Sequence, residues 1–243
     1  MGYISSIGWP EDEKKFADFW PGVQTAGKDN LRQQTAIWQA MLISAGLPNT
    51  EQIFIHGFIT ADGQKISKSL GNVVDPFEMV SKYGTDGTRY YLLAKIHPWE
   101  DSDFTWDKFN EVYNADLANG LGNLVARVAK LAETASSEFR VQSLEFSNKD
   151  FAKIRKFLDE VKFNDALAEI WGWISAVDKQ IESAKPWKLT GEPLHQVLQP
   201  WINEIVKIGT ALQPFLPQTA EKILNQFKGP KISSAPLLFL RIK

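Results

Sequence analysis

Leu117, Leu121, Leu124, Val128 and Leu131 recur at spacings that alternate between four and three. Only a helix sets such a series on one stripe, and a stripe this apolar has to be buried against other helices. Phe109 to Ala135 is therefore expected as a bundle helix, and the chain is expected to be all-helical from Trp106 onward. Phe151 to Val161, Asn164 to Ile181, Leu194 to Leu212 and Thr219 to Phe227 read as further helical segments, with Pro186, Pro193, Pro214 and Pro217 at their boundaries. Residues 136–148 read as a polar connection. The tail, Leu237 to Ile242, is strand-like in composition.

Upstream the pattern differs. Ile53 to Thr60 is β-branched and aromatic, the signature of a short buried strand. A helix-like stretch precedes it, Leu31 to Ala45, closed by Gly46 and Pro48, and Gln24 to Gly27 leads into that stretch. Strand, loop, helix and strand imply an α/β arrangement with parallel pairing. Asp12 to Phe19 is amphipathic, with Phe16 and Phe19 on one side. After Asp75-Pro76, Phe77 to Lys82 reads as a short helix ended by Gly84. Asp86 to Ile96 reads as a second helix broken by Pro98, and residues 101–105 as a polar turn or short strand. The expected fold class is α+β and mostly α, a parallel-sheet part followed by an antiparallel helical bundle.

Composition excludes several chemistries. The 243 residues contain no cysteine, so disulfides, thiolate metal sites and a cysteine nucleophile are ruled out. Three histidines, His56, His97 and His195, form no convincing ligand cluster, and no metal site is expected. No apolar run approaches the roughly 18 residues of a membrane span, so a cytoplasmic protein is expected. Net charge is −2, but residues 1–110 carry 10 basic against 14 acidic side chains and the remainder 17 against 15. A weak preference for RNA therefore falls on the second half. Most of the nine tryptophans are expected as core anchors, Trp171, Trp173 and Trp201 among them.

The densest chemistry lies at Lys65-Ile66-Ser67-Lys68-Ser69, directly after the apolar strand and a turn at Asp62-Gly63. Lysine is a mobile point charge that can follow a phosphate, and the two serines add donors. A loop of this kind suits the grip on a polyphosphate whose charge grows during reaction.

This pentapeptide resembles the lysine loop of class I aminoacyl-tRNA synthetases, usually written KMSKS. It would fit any of them. Other motifs narrow the resemblance: Gly27-Lys28-Asp29, Trp38-Gln39-Ala40-Met41-Leu42, His56-Gly57-Phe58, Leu70-Gly71-Asn72-Val73-Val74-Asp75-Pro76, Tyr83-Gly84-Thr85-Asp86 and Asn119-Gly120-Leu121-Gly122-Asn123-Leu124 with Arg127. In this order they resemble the C-terminal half of the methionyl-tRNA synthetase family. The family's His-Ile-Gly-His loop has no match, and Tyr3-Ile4-Ser5 reads as the tail of an element begun elsewhere. A fragment of a longer synthetase is the expectation.

The resemblance implies roles for particular residues. Lys65 and Lys68 would be catalytic, stabilising charge on pyrophosphate as the methionine carboxylate attacks the α-phosphate. Gly27, Asp29, His56, Gly57, Ser67 and Lys68 would bind ATP; Asp29 can equally serve as a helix-turn cap and His56 as a core histidine. Trp38 would line the amino-acid pocket or belong to the core. Gln34 replaces a histidine found near that pocket in relatives. Asn119, Asn123, Arg127 and Trp187 would read the anticodon, the amides and guanidinium at base edges and the indole by stacking.

Three parts are expected: 1–60 as the C-terminal half of a Rossmann-like catalytic domain, 61–110 as the lysine loop and stem-contact region, and 111–243 as a helical anticodon-binding domain with a returning C-terminal strand. The implied activity is methionine-tRNA ligation with ATP and Mg²⁺, with methionine tRNA, methionine and the missing N-terminal half as partners. The isolated chain is expected to be inactive, because half of the ATP site is absent. Three other readings stay open: a stand-alone tRNA-binding module without catalysis, another class I synthetase, and a non-enzymatic helical scaffold with an incidental lysine loop.

Overall fold

A computed structural model describes residues 2–141 and 144–242, except for the side chain of Lys68. The chain divides into two compact units, residues 1–59 with 99–102, and residues 60–98 with 103–243.

The first unit begins with α1 (Gly2–Ser5) and α2 (Glu13–Phe19), the latter capped by the Asp12 carboxylate, which accepts from the Lys15 N–H. Phe16 is buried, but Phe19 is 62% exposed, so the expected apolar side of α2 rests on Phe16 alone. Strand β1 (Val23–Gly27) pairs in parallel with β2 (Gln52–His56), in register from Val23 opposite Gln52 to Gly27 opposite His56. Parallel strands need a crossover. Here it is a 3-10 turn (Lys28–Asn30), a π turn (Gln33–Ile37) and α3 (Trp38–Ser44), stopped by Gly46 at φ +70°. Thr50 ties crossover to sheet. Its N–H donates to Gln39 Oε1 at 3.1 Å and its hydroxyl to Gln24 Oε1 at 2.9 Å. Ile4, Phe16, Trp20, Trp38, Leu42 and Leu47 form the core.

The single strand expected over 53–60 is instead two. It breaks at Gly57-Phe58, where a Cβ on Gly57 would stand 2.2 Å from the Glu100 carbonyl oxygen and the Phe58 N–H donates to Asp101 Oδ1 at 2.8 Å. Residues 53–55 are half-buried rather than buried, since a two-stranded sheet cannot cover both of its faces.

In the second unit β3 (Ile59–Ala61) turns at Asp62-Gly63 into antiparallel β4 (Gln64–Lys65), and β5 (Ser102–Phe104) flanks β3 on its other side. Helix α4 (Pro76–Ala94) kinks at Gly84 (φ 73°, ψ 167°), so the two expected helices are its consecutive halves. The long helix runs as α5 (Trp106–Val112), a ten-residue π segment (Tyr113–Gly122) and α6 (Asn123–Ala135). Leu117, Leu121, Leu124 and Val128 are fully buried. The π geometry was not legible in the leucine spacing. Its glycines permit it: a Cβ on Gly122 would come within 2.9 Å of the Leu117 carbonyl oxygen.

Helices α7 (Ala152–Asp159), α8 (Phe163–Ala184), α9 (Gly191–Leu212) and α10 (Pro217–Gln226) complete one hydrophobic cluster that extends from Met79 to Phe239. Polar bonds lock α4 to the α9–α10 corner. Asp86, 5% exposed, accepts the Thr219 N–H at 2.6 Å in the first turn of α10, and Arg89 donates to the carbonyls of Phe215 and Pro214.

The tail is not a strand, contrary to expectation, and it bends at Leu238 and Phe239. No neighbouring strand meets it among the described residues. Instead the Asn114 carboxamide donates to the Ile242 carbonyl at 2.8 Å and accepts the Ile242 N–H at 3.0 Å, doing what a strand partner would do.

Candidate functional site

The lysine loop is built on β4 and a short 3-10 turn, Lys68–Leu70. Asn72 closes it. Its Oδ1 accepts the Ser67 N–H at 2.9 Å and its Nδ2 donates to the Lys65 carbonyl at 3.1 Å. Ser67 and Ser69 share a hydroxyl bond of 2.6 Å, and the Ser69 N–H points at Ser67 Oγ, 3.2 Å away. Lys65 is exposed and Ile66 half-buried, so the apolar side chain anchors while the charge faces out. The Lys68 side chain lies outside the described atoms. Asn72 went unassigned in the sequence, although a side-chain amide after a glycine is the residue type that folds back on its own backbone.

The turn beneath the loop is held by Asp103, whose Oδ1 accepts from the Thr60 hydroxyl at 2.6 Å and the Gly63 N–H at 2.7 Å. Those bonds, Thr60 foremost, keep its carboxyl below the usual range.

In the first unit the parallel register brings four expected residues together. Gly27 ends β1 opposite His56, which ends β2. A Cβ on Gly27 would stand 2.7 Å from Asp29 Oδ1 and 3.5 Å from His56 Cε1, so the glycine leaves open a small polar hollow at the strand ends. Asp29 is exposed. His56 is also exposed; its Nδ1 lies 2.9 Å from the Gly57 carbonyl oxygen. Ends of parallel strands are where α/β sheets place ligands. Asp101, to which the sequence assigned no role, borders this region. Lys28 Nζ donates to it at 2.6 Å and holds its carboxyl below the usual range, while the same ammonium sits 4.5 Å above the Phe58 ring.

Trp38 is buried, packed edge-on to Trp20 and Tyr3. It also borders an apolar cavity of about 320 Å³ with Ile4, Met41 and Leu42. Gln34 Nε2 reaches the Tyr3 hydroxyl at 3.4 Å, while Gln34 Oε1 and Trp38 Nε1 are buried without a partner among the described residues.

On the long helix Asn119 and Asn123 are exposed. Asn119 Oδ1 accepts from Arg241 Nε at 2.7 Å, whereas the Asn123 side chain has no partner among the described residues. Arg127 is not free. Its guanidinium is clamped by Asp178 and by Glu182, the latter at 2.6 Å, and its Nε is buried without a partner. Burial pushes the Asp178 carboxyl up, with Arg127 pulling the other way. Helix α8, which carries both acids, ends at Lys185 (φ 49°) and passes directly into the Pro186–Lys188 turn. There Pro186 is buried and Trp187 is 56% exposed. The clamp therefore fastens α6 to the helix that presents the indole. Trp201 is buried as expected. Trp171 is only half-buried, stacks on Tyr90 at 4.3 Å, and leaves its Nε1 unpartnered among the described residues.

Among the described residues, no cluster of three His, Cys, Asp or Glu could hold a metal ion, and no helix is long and apolar enough to cross a membrane.

Comparison with known proteins gives one consistent picture. Residues 1–129 match the family described as tRNA synthetases class I (M), and residues 144–239 match the anticodon-binding domain of tRNA ligase. Methionine–tRNA ligase of Caldanaerobacter subterraneus subsp. tengcongensis is 34% identical over 92% of this chain and 38% of its own length. That of Clostridium acetobutylicum is 35% identical over 99% of this chain and 42% of its own. The chain thus spans less than half the length of these curated relatives. Among solved structures, Mycobacterium tuberculosis methionyl-tRNA synthetase in complex with methionyl-adenylate superposes with a TM-score of 0.80 at 29% identity, over 97% of this chain and 49% of that one. A second structure of that enzyme, also bound by methionyl-adenylate, gives 0.83 at 27% identity.

Proposed function

The chain belongs to the class I tRNA synthetases, and from that premise we propose that it supplies the phosphate-gripping loop and the anticodon reader of a methionine–tRNA ligase. The observation that carries this reading is that a class I synthetase family and an anticodon-binding family match the chain in succession, over 1–129 and 144–239.

The reaction joins methionine to ATP and passes the methionyl group to its tRNA, with Mg²⁺ entering as the counterion of the nucleotide substrate. Residues 1–60 contribute the second half of a Rossmann-like domain, 61–110 the lysine loop and stem-contact region, and 111–243 the helical anticodon-binding domain. The two-stranded sheet and the exposure of Val23, Leu31, Ile37 and Met41 fit a layer completed by the sequence that the longer relatives have and this chain does not match.

Within the first unit, Gly27 lets the ribose approach the backbone, Asp29 accepts from its hydroxyls, and His56-Gly57 forms the adenine side. In the second, Lys65 and Lys68 stabilise the charge that grows on pyrophosphate as the methionine carboxylate displaces it from the α-phosphate. Ser67 adds a hydroxyl donor. Asn119, Asn123 and Arg127 meet the edges of unstacked anticodon bases, and Trp187 stacks on one.

A tRNA panel tests the assignment. Retention of methionine tRNA above tRNAs that lack the CAU anticodon is expected; equal retention of several others removes the methionine assignment. Pyrophosphate exchange tests the missing half of the catalytic layer: the 243-residue chain alone should show none, and a rate near that of an intact enzyme contradicts the division proposed here.

A further inference from the structure

After α10 the chain turns at Gly229 (φ +66°), where a Cβ would come 3.0 Å from Val141 Cγ2 and 3.1 Å from the Phe139 carbonyl oxygen. The following segment runs back along α10 and is fixed there. Gln226 Nε2 donates to the Ser233 carbonyl at 3.0 Å, and the Ser234 hydroxyl to Glu133 Oε2 at 2.9 Å. Helix and returning segment enclose a groove of about 740 Å³.

The lining is one-sided in charge. Lys222, Lys228 and Lys231 border the groove together with the amides of Asn225 and Gln226, and no carboxylate does. None of the three lysines forms an ion pair among the described residues. Residues 217–243 carry five Lys and Arg against the single acid Glu221, in a chain whose net charge is −2. Glu133, the acid that reaches the returning segment, is already engaged by Lys130 at 2.7 Å and by Ser234. These bonds, Lys130 foremost, hold its carboxyl below the usual range.

We infer that this groove seats the sugar–phosphate backbone of the bound tRNA, a second contact separate from the face formed by Asn123, Arg127 and Trp187. The inference rests on the tRNA-binding reading above and extends it. Lysine only donates, and amide and hydroxyl groups beside it suit phosphate and ribose oxygens. No aromatic ring lines the groove, so it offers no stacking platform for a base. The contact therefore adds affinity and register without reading sequence.

The test compares the unaltered chain with the triple variants Lys222→Gln/Lys228→Gln/Lys231→Gln and Lys222→Arg/Lys228→Arg/Lys231→Arg. All three side chains are exposed, and circular dichroism checks that each variant is folded. Binding of methionine tRNA and of one non-cognate tRNA is measured across a salt series. The Gln triple should flatten the slope of log K against log salt by about 2–3, and weaken binding on the order of a hundredfold near 0.1 M salt. The loss should be equal for both tRNAs, and the Arg triple should keep slope and affinity. An unchanged slope in the Gln triple overturns the groove, as does an Arg triple that loses as much as the Gln triple. No tRNA binding by the unaltered chain fails the underlying reading, and the groove with it; binding that responds to Trp187→Ala but not to the Gln triple fails the groove alone.

Discussion

Asn72 accepts the backbone N–H of Ser67 across five residues, at 2.9 Å, and its other amide end holds the Lys65 carbonyl. One carboxamide thus fixes both ends of the segment that places the first lysine and the serines. Each such bond contributes about 0.5–1.5 kcal/mol net. Asn72→Ala should therefore speed amide hydrogen exchange at Ser67 by roughly five- to tenfold and leave the helical bundle untouched. Asn72→Asp keeps the acceptor and should retain part of the protection. Unchanged exchange in the alanine variant would show that the loop holds its shape without the clip.

Arg127 has two duties that can be separated. With both carboxylates in place it braces α6 against α8, so Arg127→Ala should cost about 1–3 kcal/mol in urea unfolding. Combined with Asp178→Asn the loss should be less than additive, with a coupling of roughly 0.5–3 kcal/mol. If Arg127 also meets the anticodon, Asp178→Asn alone should weaken tRNA binding by loosening its aim. Additive stability losses would show that the pair does not act as a unit.

Trp187 projects from a turn whose proline is buried. Trp187→Ala should weaken tRNA binding by about 1–3 kcal/mol, while stability moves by no more than about 0.5 kcal/mol. Fluorescence titration against thermal melting reads the two separately. A stability loss larger than the binding loss would assign the indole to packing.

Acid should loosen the turn at Asp62-Gly63. Asp103 is depressed in the folded state, so its contribution is present above its unfolded pKa and is lost as pH falls through the lower, folded value. The Gly63 amide shift should titrate below the ordinary aspartate value of about 3.9. Thr60→Val removes the leading hydrogen bond and should move that midpoint upward. A Gly63 midpoint at the ordinary value in the unaltered chain would refute the assignment.

Gly57 tolerates no side chain. A Cβ there would stand 2.2 Å from the Glu100 carbonyl oxygen, so Gly57→Ala should destabilise the first unit. The cost expected of such overpacking is at least about 1–3 kcal/mol. Thermal unfolding followed by the Trp38 environment measures it, and a variant as stable as the parent would contradict the close approach.

Much of the fold was legible in the sequence. The leucine spacing found the bundle helix because burial imposes a period on sequence, and the β-branched and aromatic content of 53–55 marked a strand. Gly84 marked the kink of α4. What stayed hidden depends on partners distant in the chain. Nothing near Ile53 announces that Glu100 will press against Gly57 and split the strand. Nothing near Leu237 announces that a side chain at Asn114 will stand in for a neighbouring strand. Among the site residues, Gly27, Asp29 and His56 converge because of strand register, and Trp187 is exposed because its proline is anchored. The acids around Arg127 were invisible, since they lie on α8, distant along the sequence.

The two tail anchors share an address. Asn114, which holds Ile242, and Asn119, which holds Arg241, both lie inside the ten-residue π segment. A π segment winds more residues into each turn than an α-helix does. It therefore sets the angular phase between the buried stripe of α5 and the outward face that begins at Asn123. Fastened at these two points, residues 241–242 work as a phase lock, and the direction in which the face from Asn123 to Arg127 points is tied to them.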